Sequence, residues 1–177
     1  MSKKRGQKSY SDVLNFLNPK IPAEIEDDIL SAFANYSLES DMTSANLPAF
    51  YSDLQLPEDV TKMIKAQDVC IEGTDIISFD KLLKTVFHLL VFMNNGENID
   101  AQWSMLVHAC GRDSQFPQVA LRNHVLSIKD LQKITNSINM DSGKLVEMMS
   151  YSTNGTRVYI TWLDFAFLLG KLGHLMF

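Results

Sequence analysis

The twelve residues from Thr153 to Asp164 read Thr-Asn-Gly-Thr-Arg-Val-Tyr-Ile-Thr-Trp-Leu-Asp, and their spacing is that of a loop built to wrap a hard divalent cation. Calcium takes oxygen ligands from alternate positions of such a loop, with a bidentate glutamate at the twelfth and a glycine at the sixth for the sharp turn. With Ile160 as the eighth position, Thr153, Gly155 and Arg157 fall at the first, third and fifth, Val158 at the sixth and Asp164 at the twelfth. Arg157 decides the chemistry, because a guanidinium has no lone pair to offer the ion and repels it. Val158 resists the positive φ that glycine allows, so the turn is expected at Asn154-Gly155 instead.

The register of this loop recurs. An apolar residue followed at once by a hydroxyl, with a leucine or phenylalanine four residues on, occurs at Met42-Thr43 before Leu47, Ile77-Ser78 before Leu82, Leu126-Ser127 before Leu131 and Ile160-Thr161 before Phe165. The separations are 35 residues (42 to 77) and 34 (126 to 160), against 49 between the pairs, so the chain reads as two similar halves. Each apolar residue is expected on a short strand that pairs antiparallel with its sister loop. Each hydroxyl is expected to cap the helix that follows, an effect worth about 1 kcal/mol, and Asp130 and Asp164 extend two of these toward capping boxes.

None of the other loops suits calcium better. Around Ile77 the first and twelfth positions are Cys70 and Lys81, and around Met42 they are Asn35 and Asn46. Before Leu126 the stretch from Gly111 to Gln118 makes the loop too long. No metal is therefore expected, and only in a different register would Glu39, Asp41, Glu72 and Asp75 matter. Other chemistry is equally thin. His88, His108, His124 and His174 are scattered, no glycine-rich loop could cradle a phosphate, and His108-Ala-Cys110 has no third ligand at usable spacing. Cys70 and Cys110 stand far apart, suggesting neither a zinc ribbon nor a disulfide framework. The expectation is a protein that is not an enzyme and carries no cofactor.

The elements that must position these loops are helical. Tyr10, Val13, Leu14 and Leu17 lie at helical spacing before Asn18-Pro19 ends the run. Pro22 opens a longer helix with an apolar face of Ile25, Ile29, Ala32, Phe33 and Tyr36, and with Glu24, Glu26, Asp27 and Asp28 at its positive end. Further helices are expected at 44–54, 57–67, 79–93, 99–109, 128–138, 143–151 and 162–174. Nine of the twelve residues from Leu82 to Met93 are apolar, so that helix must touch two things, its own half and either the other half or a partner. Asn94 to Asn98 is the natural boundary. The expected organisation is a basic tail and short helix (1–20), an N-terminal pair of loops (21–93), a linker (94–98) and a C-terminal pair (99–177).

At 177 residues, 46% hydrophobic and 21% charged, the chain falls in the globular range. A net charge of -5 and a pI near 5.3 oppose a direct grip on nucleic acid, which needs a basic face. No stretch reaches the roughly 20 apolar residues that span a bilayer, so no membrane partner is expected. Lys3, Lys4, Arg5 and Lys8 form a basic start compatible with a nuclear address or a solvated tail.

On these residues, over roughly 22–174, the chain resembles the calmodulin and centrin family of EF-hand proteins, with the ion-binding loops degenerate. The resemblance implies an all-α fold made of two pairs of degenerate EF-hands with short inter-loop β pairings. Within the family, the four altered loops, the long third loop and the basic start are similar to the centrin-like small subunits of nucleotide-excision-repair damage-recognition complexes. That likeness implies a nuclear protein, bound to a large damage-sensing subunit of the xeroderma pigmentosum group C kind, which supports repair without touching the lesion. A calcium-free light chain that braces a helix of a cytoplasmic motor or scaffold protein is the alternative.

Carried over by register, the family's groove for a partner's amphipathic helix would be lined by Trp103, Leu106, Leu131, Ile134, Met148, Met149, Phe165, Leu168 and Leu169. Aromatic and methionine side chains suit such a groove because they bury large areas and adapt in shape. The plainer reading of the same residues is internal core. With no ion to open it, the groove should stay either collapsed or permanently occupied.

Overall fold

Pro22 fixes its own φ at -59° and starts the first long helix, which carries Glu24 and Glu26 in its first turn, where the helix dipole favours them. The computed structural model describes residues 10–176, so Lys3, Lys4, Arg5 and Lys8 lie outside the described residues. The N-terminal half comprises α1 (Tyr10–Leu17), α2 (Ala23–Ser37), α3 (Leu47–Asp53), α4 (Glu58–Thr61), α5 (Ala66–Val69) and α6 (Phe79–Asn94). The C-terminal half comprises α7 (Gly96–Ala109), α8 (Arg112–Gln115), β1 (Leu126–Ser127), α9 (Ile128–Ser137), α10 (Leu145–Thr153), β2 (Tyr159–Ile160) and α11 (Trp162–Lys171). The molecule is mostly helical, as expected.

The expected inter-loop pairings form. Leu126 stands opposite Ile160 and Ser127 opposite Tyr159 in an antiparallel ladder. In the N-terminal half, Thr43 bridges Ile76 in the same sense, and the Ile77 N–H donates to the Met42 carbonyl at 2.9 Å. Met42, Ile77, Leu126 and Ile160 are all buried, so each ladder is also a core contact. The caps form in part: Ser127 and Thr161 each accept from the backbone N–H three residues on and give two hydrogen bonds back to Asp130 and Asp164. Thr43 closes a similar box with Asn46, its N–H and hydroxyl both donating to Asn46 Oδ1 at 3.0 and 3.2 Å, whereas Ser78 makes no side-chain cap.

One expected helix is wrong. The stretch 57–67 is not continuous but splits into α4 and α5, with turns between. Val60 and Val69 are both buried, yet residues nine apart lie about 180° apart around an α-helix. The break turns both to the core.

The boundary expected at 94–98 is a single-residue interruption between α6 and α7 rather than an open linker. Asn95 is buried there; its amide donates to the carbonyls of Val91 and Met176 and its oxygen accepts from the Met176 N–H. The end of the chain is thus tied to the joint between the halves.

The apolar α6 does touch two things. One side packs on α2 and α5, and the other enters an aromatic cluster of Phe16 from α1, His88 and Phe92 from α6, and Phe167 from α11. Phe16 is buried, and its carbonyl is bonded to His88 Nε2 at 2.8 Å. A Cβ on Gly170 would overlap the Phe16 ring, so this glycine is what lets α1 lie against α11. A polar tie joins the halves elsewhere. Arg122 grips Asp100 with two hydrogen bonds (3.0 and 2.8 Å), reaches Asp59 at 3.1 Å and lies over the Trp162 ring, while Trp162 Nε1 donates to Asp100 at 2.8 Å.

Candidate partner-binding site

Three of the four loops that gave the sequence its rhythm are closed by cations of the chain's own. In the last loop, Arg157 pairs with Asp164, the residue at the twelfth position. In the third, Arg112 donates through Nε and Nη2 to Asp130 at 3.1 Å each, and Asp130 again occupies the twelfth position counted from Leu126. In the second, Lys81 reaches back across the loop to the Cys70 carbonyl at 2.8 Å. Both aspartates are buried, and each also serves as the acidic member of a capping box. Burial works against the Asp130 charge, but the Ser127 N–H and hydroxyl and the Arg112 guanidinium outweigh it and hold the carboxyl below its ordinary value.

The turn of the last loop sits at Asn154 (φ 52°) and Gly155 (φ 71°), as expected, and Val158 is exposed. The extra length of the third loop is taken up by α8 and a turn at Leu121–Asn123, and this turn supplies the Leu121 carbonyl that accepts from Trp103 Nε1 at 2.9 Å. Among the described residues no group of three histidine, cysteine or acidic side chains converges as a metal site. Both cysteines are free and buried.

The nine groove residues lie on α7, α9, α10 and α11, which pack on one another. Trp103 and Phe165 meet with ring centroids 5.5 Å apart. Trp103, Met149, Phe165 and Leu169 are buried inside the chain's own core, so in this structure the groove is shut. Leu106, Leu131 and Ile134 pack half-buried against that core, as its edge, and Leu168 is half-buried. Met148 departs from the set: its neighbour Met149 points inward at 2% exposure while Met148 is 49% exposed. Adjacent helical residues point about 100° apart, so one can face the core while the other faces solvent.

The surface adds residues that periodicity did not single out. Among the described residues, ten of the fifteen exposed large apolar side chains lie in the C-terminal half, including Met105, Ile138, Met140 and Val146 alongside Met148. Residues that break a helix's apolar stripe, or sit just beyond its end as Ile138 and Met140 do, were the signal available in the sequence.

These features describe a mostly helical chain with three self-closed loops and, among the described residues, most of its exposed large apolar side chains in the C-terminal half. The family model described as Rad33 matches residues 60–143. The DNA repair protein RAD33 of Saccharomyces cerevisiae is 54% identical over 168 residues, covering 94% of this chain and 95% of that protein. The chain belongs to the Rad33 family. No solved structure matches it. Among the described residues no helix is long and apolar enough to cross a membrane.

Proposed function

We propose that this chain is a non-catalytic, calcium-independent subunit of nucleotide excision repair that acts in the nucleus by binding a helix of a large damage-sensing protein of the xeroderma pigmentosum group C kind. A role in DNA repair is supported by membership of a family in which a relative 54% identical over nearly the whole chain is named a DNA repair protein. Kinship with degenerate EF-hand proteins is supported by the paired loops and their capping boxes. The observation that carries the mechanism is the Arg157–Asp164 pair, with Arg112–Asp130 beside it. A guanidinium on each twelfth-position carboxylate leaves calcium nothing to displace cheaply, so the loops act as fixed hinges.

The partner helix then docks on the exposed edge of the C-terminal half, against Met148, Leu131, Ile134 and Leu106. It gains the buried ring of Trp103 only if α7 and α11 part. An amphipathic helix with anchors one to two turns apart is the matching ligand. The test is a pulldown from nuclear extract in chelator, with the wild type and with Met148→Glu, a variant whose site is already solvated and whose fold should be unaffected. Capture of a large repair protein by the wild type alone supports the reading. Equal capture by both, or capture only when calcium is added, overturns it.

A further inference from the structure

Two cavities of about 540 and 520 Å³ adjoin where the halves meet, sharing Asp68, Lys81, Asn154, Phe167 and Lys171. Neither includes any of the nine groove residues, so this cleft is separate from the apolar face. Its charge is unusual for a chain of net charge -5. Lys81, Lys84 and Lys171 line it together, and each donates to neutral acceptors: the Cys70 carbonyl, the Asn18 amide oxygen, and the Tyr151 carbonyl with the Asn154 amide oxygen. Among the described residues none of the three has a carboxylate within ion-pair distance. Arg157 also lines the cleft, and its Nε is buried with no acceptor.

We propose that this inter-half cleft is a second binding site, and that it takes a short acidic segment of a partner protein with an apolar residue among its carboxylates. Three ammonium groups with no carboxylate in direct contact, set against only Asp68 and the Arg157-paired Asp164 as the acidic groups of the cleft, leave a net positive potential between low-dielectric walls that a carboxylate pair would neutralise. Tyr151 and Phe167 supply the apolar rim. Burial lowers the Lys171 pKa below its ordinary value despite the opposing pull of the Asp164 carboxylate, and an arriving carboxylate would restore its proton affinity. A long polyanion such as nucleic acid is disfavoured, because the chain as a whole carries a net charge of -5. The basic residues at positions 3–8 have the wrong sign to be the occupant.

The experiment titrates the full chain with a fluorescein-labelled hexapeptide of glutamates carrying one phenylalanine, and repeats it with Lys84→Glu and with Lys84→Glu/Lys171→Gln. Amide chemical shifts of the wild type are followed in parallel. Saturable binding that weakens about tenfold in the single variant, falls with added salt, and perturbs the amides of Tyr151, Asn154 and Phe167 supports the proposal. Because the shift map uses the wild type, it stands even if the double variant misfolds. Absence of binding, binding unchanged by Lys84→Glu, shifts confined to the α7–α9 face, or tighter binding of a single-stranded oligonucleotide at the same residues would each overturn it. The Met148→Glu variant should bind the hexapeptide normally, which separates this site from the helix-binding reading.

Discussion

Arg157 and Asp164 are joined across the last loop at the place where an ion-binding loop would hold its metal. The pair is nearly enclosed: the arginine and aspartate side chains are 19% and 9% exposed. Removing the arginine leaves a buried carboxylate with only its cap hydrogen bonds. Arg157→Gln should therefore lose about 2 kcal/mol of stability, read as a fall of roughly 6 °C in Tm. Millimolar calcium should not restore it, because Gly155 still supplies no side-chain oxygen at the third position and Val158 still stands where the loop needs its turn glycine. Recovery of the wild-type Tm on adding calcium would show that the loop keeps a latent ion site.

His88 should make the association of the halves sensitive to mild acid. Burial lowers its pKa below the ordinary value of 6.5, outweighing the hydrogen bond to the Phe16 carbonyl, and Lys84 adds in the same direction. The unfolded chain thus takes up a proton that the native chain refuses. Stability should be level above about pH 7, fall as pH drops through 6.5, and level off below the depressed native value. Thermal melts from pH 8 to 5 should show this slope in the wild type and a shallower one in His88→Gln. Equal slopes would remove His88 as the cause.

Gly170→Ala should be far costlier than a glycine-to-alanine change in a helix ordinarily is. Helix propensity alone would favour the alanine by up to about 1 kcal/mol. The new methyl group, however, takes the space of the Phe16 ring, and displacing it should cost about 2 kcal/mol or more net. Denaturant unfolding should place the variant below the wild type. The double variant Phe16→Leu/Gly170→Ala should recover part of the loss, since a smaller side chain frees the space.

Tyr51 points the other way. Its hydroxyl is buried beside Cys70 with no hydrogen-bond partner, so Tyr51→Phe should raise stability by about 1 kcal/mol. Burial also pushes its pKa up to about 12 from 10.0. The wild type should therefore lose stability as pH rises through 10 toward 12, and the phenylalanine variant should lose less. A destabilised Tyr51→Phe would mean that the hydroxyl is satisfied by ordered water.

The local rules of the fold could be read from the chain, and the tertiary choices could not. Helical spacing located α2, α6, α9 and α11 to within a few residues, and the apolar-hydroxyl register located the ladders and three of the four caps. These features depend on neighbours within a few positions. The split between α4 and α5 depends instead on two valines needing the same core, and periodicity inside one helix carries no such information. For the site, spacing put nine residues on four mutually packed helices, but it could not separate Met149, turned inward, from Met148, turned out. Whether an oily face is closed on itself or left open is decided by how helices tilt, and that depends on residues such as Leu121 and Arg122 far along the chain. The cation of each closed loop was partly visible: Arg157 was read as a bar to calcium, without the further step that it would bind the carboxylate itself.

Phe16 leaves the ribosome long before Gly170 does, yet each needs the other. The opening helix can lie against His88 and Phe92 once α6 has emerged, but its slot beside Gly170 is complete only when α11 follows. Newly made chains thus pass through a stage in which the Phe16 ring is covered on its α6 side and still open where α11 will close over it.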